Sequence, residues 1–209
     1  MTGRFITVEG IEGAGKSTCM SQLEKLIRQQ GYGLLTTREP GGTSLGEDLR
    51  ALLLGHQYGD MAEETELLLM FAARAEHLSA KIEPALHAGD WVLCDRFTDA
   101  TYAYQGYGRG ISRTRIETLE TWVQGDRRPD LTLLLDLPVE LGIERAGRRS
   151  APDRFEREAL AFFERVRAGY LALANADPQR YRIIDASRSL RDVSDAISQV
   201  FIAYLQGVR

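Results

Sequence analysis

Phe5-Ile-Thr-Val-Glu-Gly10-Ile-Glu-Gly-Ala-Gly15-Lys16-Ser17 decides how the rest of the chain is read. Phe5–Val8 is short, apolar and β-branched, the pattern of a buried strand. Gly10 to Ser17 matches G-x-x-x-x-G-K-S/T at every fixed position. From about Lys16 to Gln30 the pattern turns helical, with Met20, Leu23, Leu26 and Ile27 on one face and Gly31 as its stop. Glycines let the backbone curl until successive amides point inward at phosphate oxygens, and the helix N-terminus is aimed at the same anion. Lys16 is placed to reach the β- and γ-phosphates, and the Ser17 hydroxyl to hold Mg²⁺. A random chain of this length would match the pattern in roughly one case in a hundred. The required strand and helix make a chance match rarer still. Gly10, Ile11, Glu12, Gly13, Ala14, Gly15, Lys16, Ser17 and Thr18 are therefore the expected ATP cradle.

Outward from this loop, short apolar runs alternate with helical patterns. Leu34–Thr37, Trp91–Cys94, Leu131–Leu135 and Tyr181–Ile184 are the further strand candidates, the last three running into Asp95, Asp136 and Asp185. A long helical stretch covers about Glu63 to His87, with a kink or break expected at Pro84. This alternation predicts an α/β fold with a five-stranded parallel sheet covered by helices on both faces. Ligands of such sheets bind beyond the carboxyl ends of the strands. Gly147 to Arg154 is polar, basic and carries a proline, and reads as a mobile loop between two helices.

The chain has 209 residues, 44% of them apolar and 27% charged, which fits a single globular domain and argues against disorder or a membrane protein. No charge-free run is long enough to span a bilayer. The N-terminus lacks the pattern of a secretory signal. Cys19 and Cys94 form neither a zinc spacing nor a disulfide framework, so a reducing cytoplasm is expected. With a net charge of −4 there is little pull toward a polyanion, and nucleic acid is not an expected partner. Among 26 basic residues the lysines are Lys16, Lys25 and Lys81, which makes the lysine of the loop conspicuous. His56, His77 and His87 have no metal-ligand spacing and read as structural or surface residues.

A GTPase would read guanine with Asn-Lys-x-Asp, yet the one asparagine, Asn175, is not followed by Lys. The length leaves little room for motor or transporter machinery, so a small kinase remains. Asp95-Arg96-Phe97 follows a predicted buried strand. A carboxylate there suits Mg²⁺, and the arginine's planar fork suits two phosphate groups.

At this point the chain resembles thymidylate kinases over nearly its whole length. The matching segments are Val8–Ser17, Arg38-Glu-Pro-Gly-Gly-Thr43, Leu67–His77, Asp95-Arg-Phe97 and Ala103-Tyr-Gln-Gly106. The resemblance implies a three-layer P-loop nucleoside monophosphate kinase fold spanning residues 1–209, with a short lid at about 147–154. It implies transfer of the ATP γ-phosphoryl group to dTMP in dTTP biosynthesis, and a homodimer.

Two polyanions must meet head to head, so the site needs fixed cations. Lys16, Asp95, Arg96 and Arg149 are the expected catalytic residues, with Ser17 and Asp95 at the metal. Arg38 and Arg96 match positions that hold the acceptor phosphate. Phe71 and Arg74, three apart on a helix, resemble the ring that stacks on thymine and the arginine that reads it. Thr101 and Gln105, four apart, are expected to supply polar contacts to the pyrimidine edge, and Tyr104 resembles the aromatic that crowds the sugar 2′ position. Glu12 is placed either at the sugar 3′-hydroxyl or on a lid arginine. With no arginine in the loop, one of Arg148, Arg149 and Arg154 is expected to close over the phosphates, Arg148 on the ATP side. Phe97 and Ala100 depart from the Tyr or His and the Ser often found there. Asp185-Ala-Ser187 resembles the adenine-side loop. The alternatives are another small P-loop kinase, such as a deoxynucleoside kinase, and a nucleotide sensor without turnover.

Overall fold

The computed structural model describes residues 3–55, 61–148, 154–155 and 158–208. Its elements are β1 (Phe5–Glu9), α1 (Lys16–Gln29), β2 (Leu34–Arg38), α2 (Ser44–Leu54), α3 (Glu63–His77), a π-helical turn at Leu78–Ile82, α4 (Glu83–His87) and β3 (Trp91–Asp95). There follow α5 (Thr98–Thr101), a second π-helical stretch at Tyr102–Gly108, α6 (Arg113–Gln124), β4 (Leu131–Asp136), α7 (Val139–Gly147), α8 (Leu160–Ala176), β5 (Tyr181–Asp185) and α9 (Leu190–Val208). The strands form one sheet in the order β2-β3-β1-β4-β5, and every pairing is parallel.

Position in the sheet explains strand burial. β1 is buried along its whole length, and β3 and β4 are buried up to their final aspartates, whereas β2 and β5 at the edges are partly exposed. Period-two alternation then splits the core. Ile6 and Leu93, paired in register, join a cluster with Leu23 and Ile27 of α1 and Phe201 of α9. Phe5 and Val92, the neighbouring pair, join a second cluster with Leu78 and Ile82.

Two helical irregularities depart from the sequence pattern. The long stretch from Glu63 does not kink at Pro84 itself. One turn earlier it widens into the π-helical segment, where the Glu83 amide bonds to the Leu78 carbonyl. Pro84 has no amide to donate, and it sits in the first turn of α4, where none is needed. The π-helical stretch at Tyr102–Gly108 had no signal in the apolar periodicity. Such turns recur at functional sites, and this one carries Tyr104 and Gln105. Among the described residues no helix is long and apolar enough to cross a membrane. Residues 149–153 of the expected lid, with Arg149, lie outside the described residues, as does His56.

Candidate active site

β1 delivers the chain into the phosphate loop at the carboxyl end of the sheet. Gly10 has φ +141°, and a Cβ there would stand 2.5 Å from the Leu135 carbonyl oxygen. Gly13 has φ +72°, and its Cβ would stand 2.0 Å from the Gly142 oxygen of α7. The loop is thus pressed between β4 and α7 and needs glycine at both places. Lys16 Nζ turns back over it, donating to the carbonyls of Gly10 (3.1 Å) and Ile11 (3.0 Å). Ile11 and Ala14 are buried.

A cavity of about 310 Å³ opens beside this loop. It is lined by Glu12, Gly13, Gly15, Lys16 and Ser17 at one end and by Arg74, Thr101 and Gln105 further in, with Arg38, Asp95, Arg96 and Tyr104 also on its wall. These are the residues the sequence assigned to donor, acceptor and metal, now on one surface. Gly10, Ile11, Ala14 and Thr18 shape the loop without lining the cavity.

β3 sets up the middle of the cavity. Arg96 leaves the strand at φ +69°, a conformation a non-glycine residue holds only when its surroundings fix it. Its Nη2 donates to Glu12 Oε1 at 2.8 Å, its Nη1 to the Tyr170 hydroxyl at 3.1 Å, and its guanidinium lies 4.8 Å from the Tyr104 ring centre. The next amide, of Phe97, donates to Glu9 Oε1 at 2.7 Å, and Tyr170 donates to Glu9 Oε2 at 2.9 Å. One buried carboxylate therefore pins Arg96 through both main chain and side chain. Glu12, in turn, takes the Tyr104 hydroxyl at 2.6 Å, so among the described residues the arginine it holds is that of the β3 end.

The acceptor end is built on a second network. Arg74 donates Nε to Glu39 Oε2 at 2.8 Å and Nη2 to Thr101 Oγ1 at 3.0 Å. Its Nη1 is buried without a partner among the described residues. Glu39 Oε1 is 3.0 Å from His77 Nδ1, whose Nε2 is 2.6 Å from Thr37 Oγ1. His77 is thus a buried structural residue, as its lack of metal spacing suggested. Arg38 forms a two-point pair with Glu47, which also accepts the Gly42 amide. Arg50 reaches the cavity from α2 and donates to the Pro40 carbonyl at 2.9 Å.

Charges in the cavity perturb one another. Burial, and then Arg96, lower the Lys16 ammonium to about 8. Burial pulls Glu12 upward, yet Arg96 and Lys16 outweigh it and hold the carboxyl below its usual range. Burial opposes the charge on Arg96 as well, but Tyr104, Tyr170 and Glu12 keep it firmly protonated. Burial, and then Asp99, push Glu9 up to about 8 against the pull of Arg96 and Tyr170. Asp95 Oδ1 is buried with no hydrogen-bond partner among the described residues. An orphaned carboxylate oxygen on a cavity wall shared with the Ser17 hydroxyl suits a hard cation.

Several expectations need correction. Phe71 does not face the cavity: it is buried among Leu67, Tyr102, Ile111 and Ile116, with the Arg74 guanidinium 4.8 Å from its ring centre. Met70, one position earlier, lines the cavity together with Phe97. Arg148 is exposed at the end of α7 and pairs with Glu144 one turn back, away from the cavity lining. Arg154 turns its guanidinium to Glu66 and to the Leu53 carbonyl, not to the phosphate loop. Glu39, Arg50, Met70 and Phe155 line the cavity and were missed, although Glu39 stands inside the quoted Arg38–Thr43 segment.

Comparison with known proteins agrees with this geometry. The family model for thymidylate kinase matches residues 8–197. The thymidylate kinase of Alkalilimnicola ehrlichii is 59% identical over 94% of this chain and 91% of its own length. That of Pseudomonas entomophila is 56% identical over the full length of both. The crystal structure of thymidylate kinase from Ehrlichia chaffeensis covers 98% of this chain and 100% of its own, with a TM-score of 0.79 and 34% identity. A profile match over most of the chain, full-length relatives above half identity and the shared fold all point one way: this chain belongs to the thymidylate kinase family.

Proposed function

We infer that this chain moves the γ-phosphoryl group of ATP to dTMP, giving dTDP and ADP. The observation that carries the reading is the cavity beside the phosphate loop. It joins a phosphate loop to an arginine-lined pocket about the size of a small nucleotide, with Arg96 between the two. The acceptor is itself a phosphate anion and needs no base to remove a proton. What it needs is alignment and cancellation of charge. Loop amides and Lys16 hold the donor phosphates, Arg38 and Arg96 hold the acceptor phosphate, and Arg96 faces the group in transfer. Glu12, Tyr104 and Tyr170 keep the Arg96 fork pointed there. Ser17 and Asp95 would hold Mg²⁺, which supplies neutralising charge to the donor's phosphate oxygens. Arg74, Thr101 and Gln105 meet the base, Met70 and Phe97 give it apolar contact, and Tyr104 fills the space at the sugar 2′ carbon.

The same reading includes a cytoplasmic homodimer. Leu45 on α2 and Leu68 on α3, two helices that pack together, are 52% and 56% exposed, and a second copy would cover such apolar side chains. The test is ADP release with Mg²⁺-ATP and each of dTMP, dUMP, dCMP, dGMP and thymidine. Turnover is expected with dTMP and not with thymidine. Turnover of thymidine without dTMP would replace the reading with a deoxynucleoside kinase.

A further inference from the structure

Glu66 of α3 is 1% exposed and lies outside the cavity lining, yet three donors converge on its carboxylate. Gln105 donates Nε2 to Oε1 at 2.8 Å, Arg109 reaches both oxygens at 3.4 Å, and Arg154 donates to Oε2. A carboxylate ringed by two guanidiniums offers acceptors only. The neighbouring end of the Gln105 amide is therefore its NH₂, and its carbonyl oxygen is the end left to the cavity that Gln105 lines. One helical turn back on the same segment, Thr101 holds Arg74, whose buried Nη1 is an unused donor. The base end of the cavity thus offers a fixed donor and a fixed acceptor side by side.

We propose that Glu66 is a positioning residue for base specificity: by holding the Gln105 amide in one orientation, it makes the site read a pyrimidine that is keto at C4 and carries a proton at N3, and reject one that is amino at C4 with a bare N3. The proposal rests on dTMP as the acceptor. The first base type presents an acceptor to Arg74 and a donor to Gln105. A cytosine edge presents the reverse, leaving buried groups facing like groups, which is how a polar pocket rejects an analogue. Arg74 only donates and so discriminates at C4; at N3 the pattern depends on the Gln105 amide, because an amide free to flip would serve either base there.

The experiment compares kcat/KM for dTMP and dCMP in the wild type, Glu66→Gln, Gln105→Leu and the double variant. The amide introduced by Glu66→Gln offers both donor and acceptor, so the Gln105 amide can turn over. The dTMP-to-dCMP preference is expected to fall about 10-fold or more. The change should fall mainly on KM, with kcat changed less. Gln105→Leu is expected to lose the same preference, and the double variant to lose no more, because Glu66 acts through Gln105. A parallel loss on both nucleotides with the preference intact would make Glu66 merely structural and overturn the proposal. If Glu66→Gln shows no cooperative melt, Gln105→Leu decides: an unmoved preference in that variant overturns the proposal equally. A wild type that phosphorylates neither nucleotide removes the functional reading and the proposal together. A wild type active on dTMP, with variants whose preference is unmoved, removes the proposal alone.

Discussion

The Arg96 guanidinium and the Glu12 carboxylate meet at 2.8 Å in the wall of the cavity, with Tyr104 bonded to the same carboxylate at 2.6 Å and its ring against the same guanidinium. A loop residue thereby orients the cation proposed to face the phosphoryl group. Arg96→Ala is expected to lower kcat about 10²–10³-fold, the scale for losing one preorganised charge-stabilising donor. Glu12→Gln keeps the shape but weakens the hold, and should cost about 10-fold. On the Arg96→Ala background Glu12→Gln should add almost nothing, because Glu12 acts through Arg96. Initial rates of ADP release check this. Equal losses on both backgrounds would give Glu12 a role of its own.

Lys16 makes a different prediction because its charge is poised. Burial and Arg96 bring its ammonium down to about 8 in the free chain, whereas an arriving triphosphate favours the charged form. Nucleotide binding at pH 8.5 should therefore take up about three-quarters of a proton at this residue. Calorimetric titration in buffers of different ionisation enthalpy reads the uptake, and Lys16→Met should abolish it. Lys16→Ala is expected to reduce turnover about 10²-fold or more.

The loop's glycines are not equivalent. Gly13 combines a left-handed φ of +72° with a Cβ position 2.0 Å from the Gly142 oxygen, while Gly15, at φ +90°, has nothing within 4 Å. Gly15→Ala should cost about 1–2 kcal/mol, the strain of the backbone alone. Gly13→Ala should cost more than about 2 kcal/mol, because main chain must move as well. Urea melts of both variants check the order, and equal costs would mean that α7 yields freely.

Which of two adjacent helical residues faces a ligand is decided by packing, and here the sequence misled. The Arg74 guanidinium lies 4.8 Å from the Phe71 ring centre, but of α3 only Met70 and Arg74 line the cavity. Strand–loop–helix at Phe5–Gln29 was legible because local chemistry dictates it, and the parallel sheet because strands alternate with helices, whereas the order β2-β3-β1-β4-β5 was not. Arg50 and Phe155 come to the cavity from distant segments with no motif, and the π-helical turn at Tyr102–Gly108 has no apolar period to betray it. The faces are separable by experiment. Phe71→Ala should cost about 3–5 kcal/mol of stability, the usual loss for a buried ring. Met70→Ala should raise KM for dTMP several-fold with a smaller change in melting temperature. The reverse pattern would restore Phe71 to the base site.

Glu9 gives the chain a pH dependence whose sign follows from its surroundings. Its carboxyl moves from an ordinary 4.5 to about 8, through burial first and Asp99 second. Between those values the native state keeps a proton that the unfolded chain has lost, so stability falls as pH rises. The cost is absent below pH 4.5 and complete above about 8. Glu12 and Glu47, held below the usual range, lose their contributions only in acid, and folded Lys16 titrates around 8. The interval from pH 5 to 7 therefore isolates Glu9 from these groups. Guanidinium melts across it should show wild-type stability declining by roughly 2 kcal/mol or more. Glu9→Gln, which cannot ionise, should decline less, so the difference between the two shrinks toward alkaline pH. Parallel profiles would mean that Glu9 is already a carboxylate at pH 5, held so by Arg96 and the hydroxyl of Tyr170.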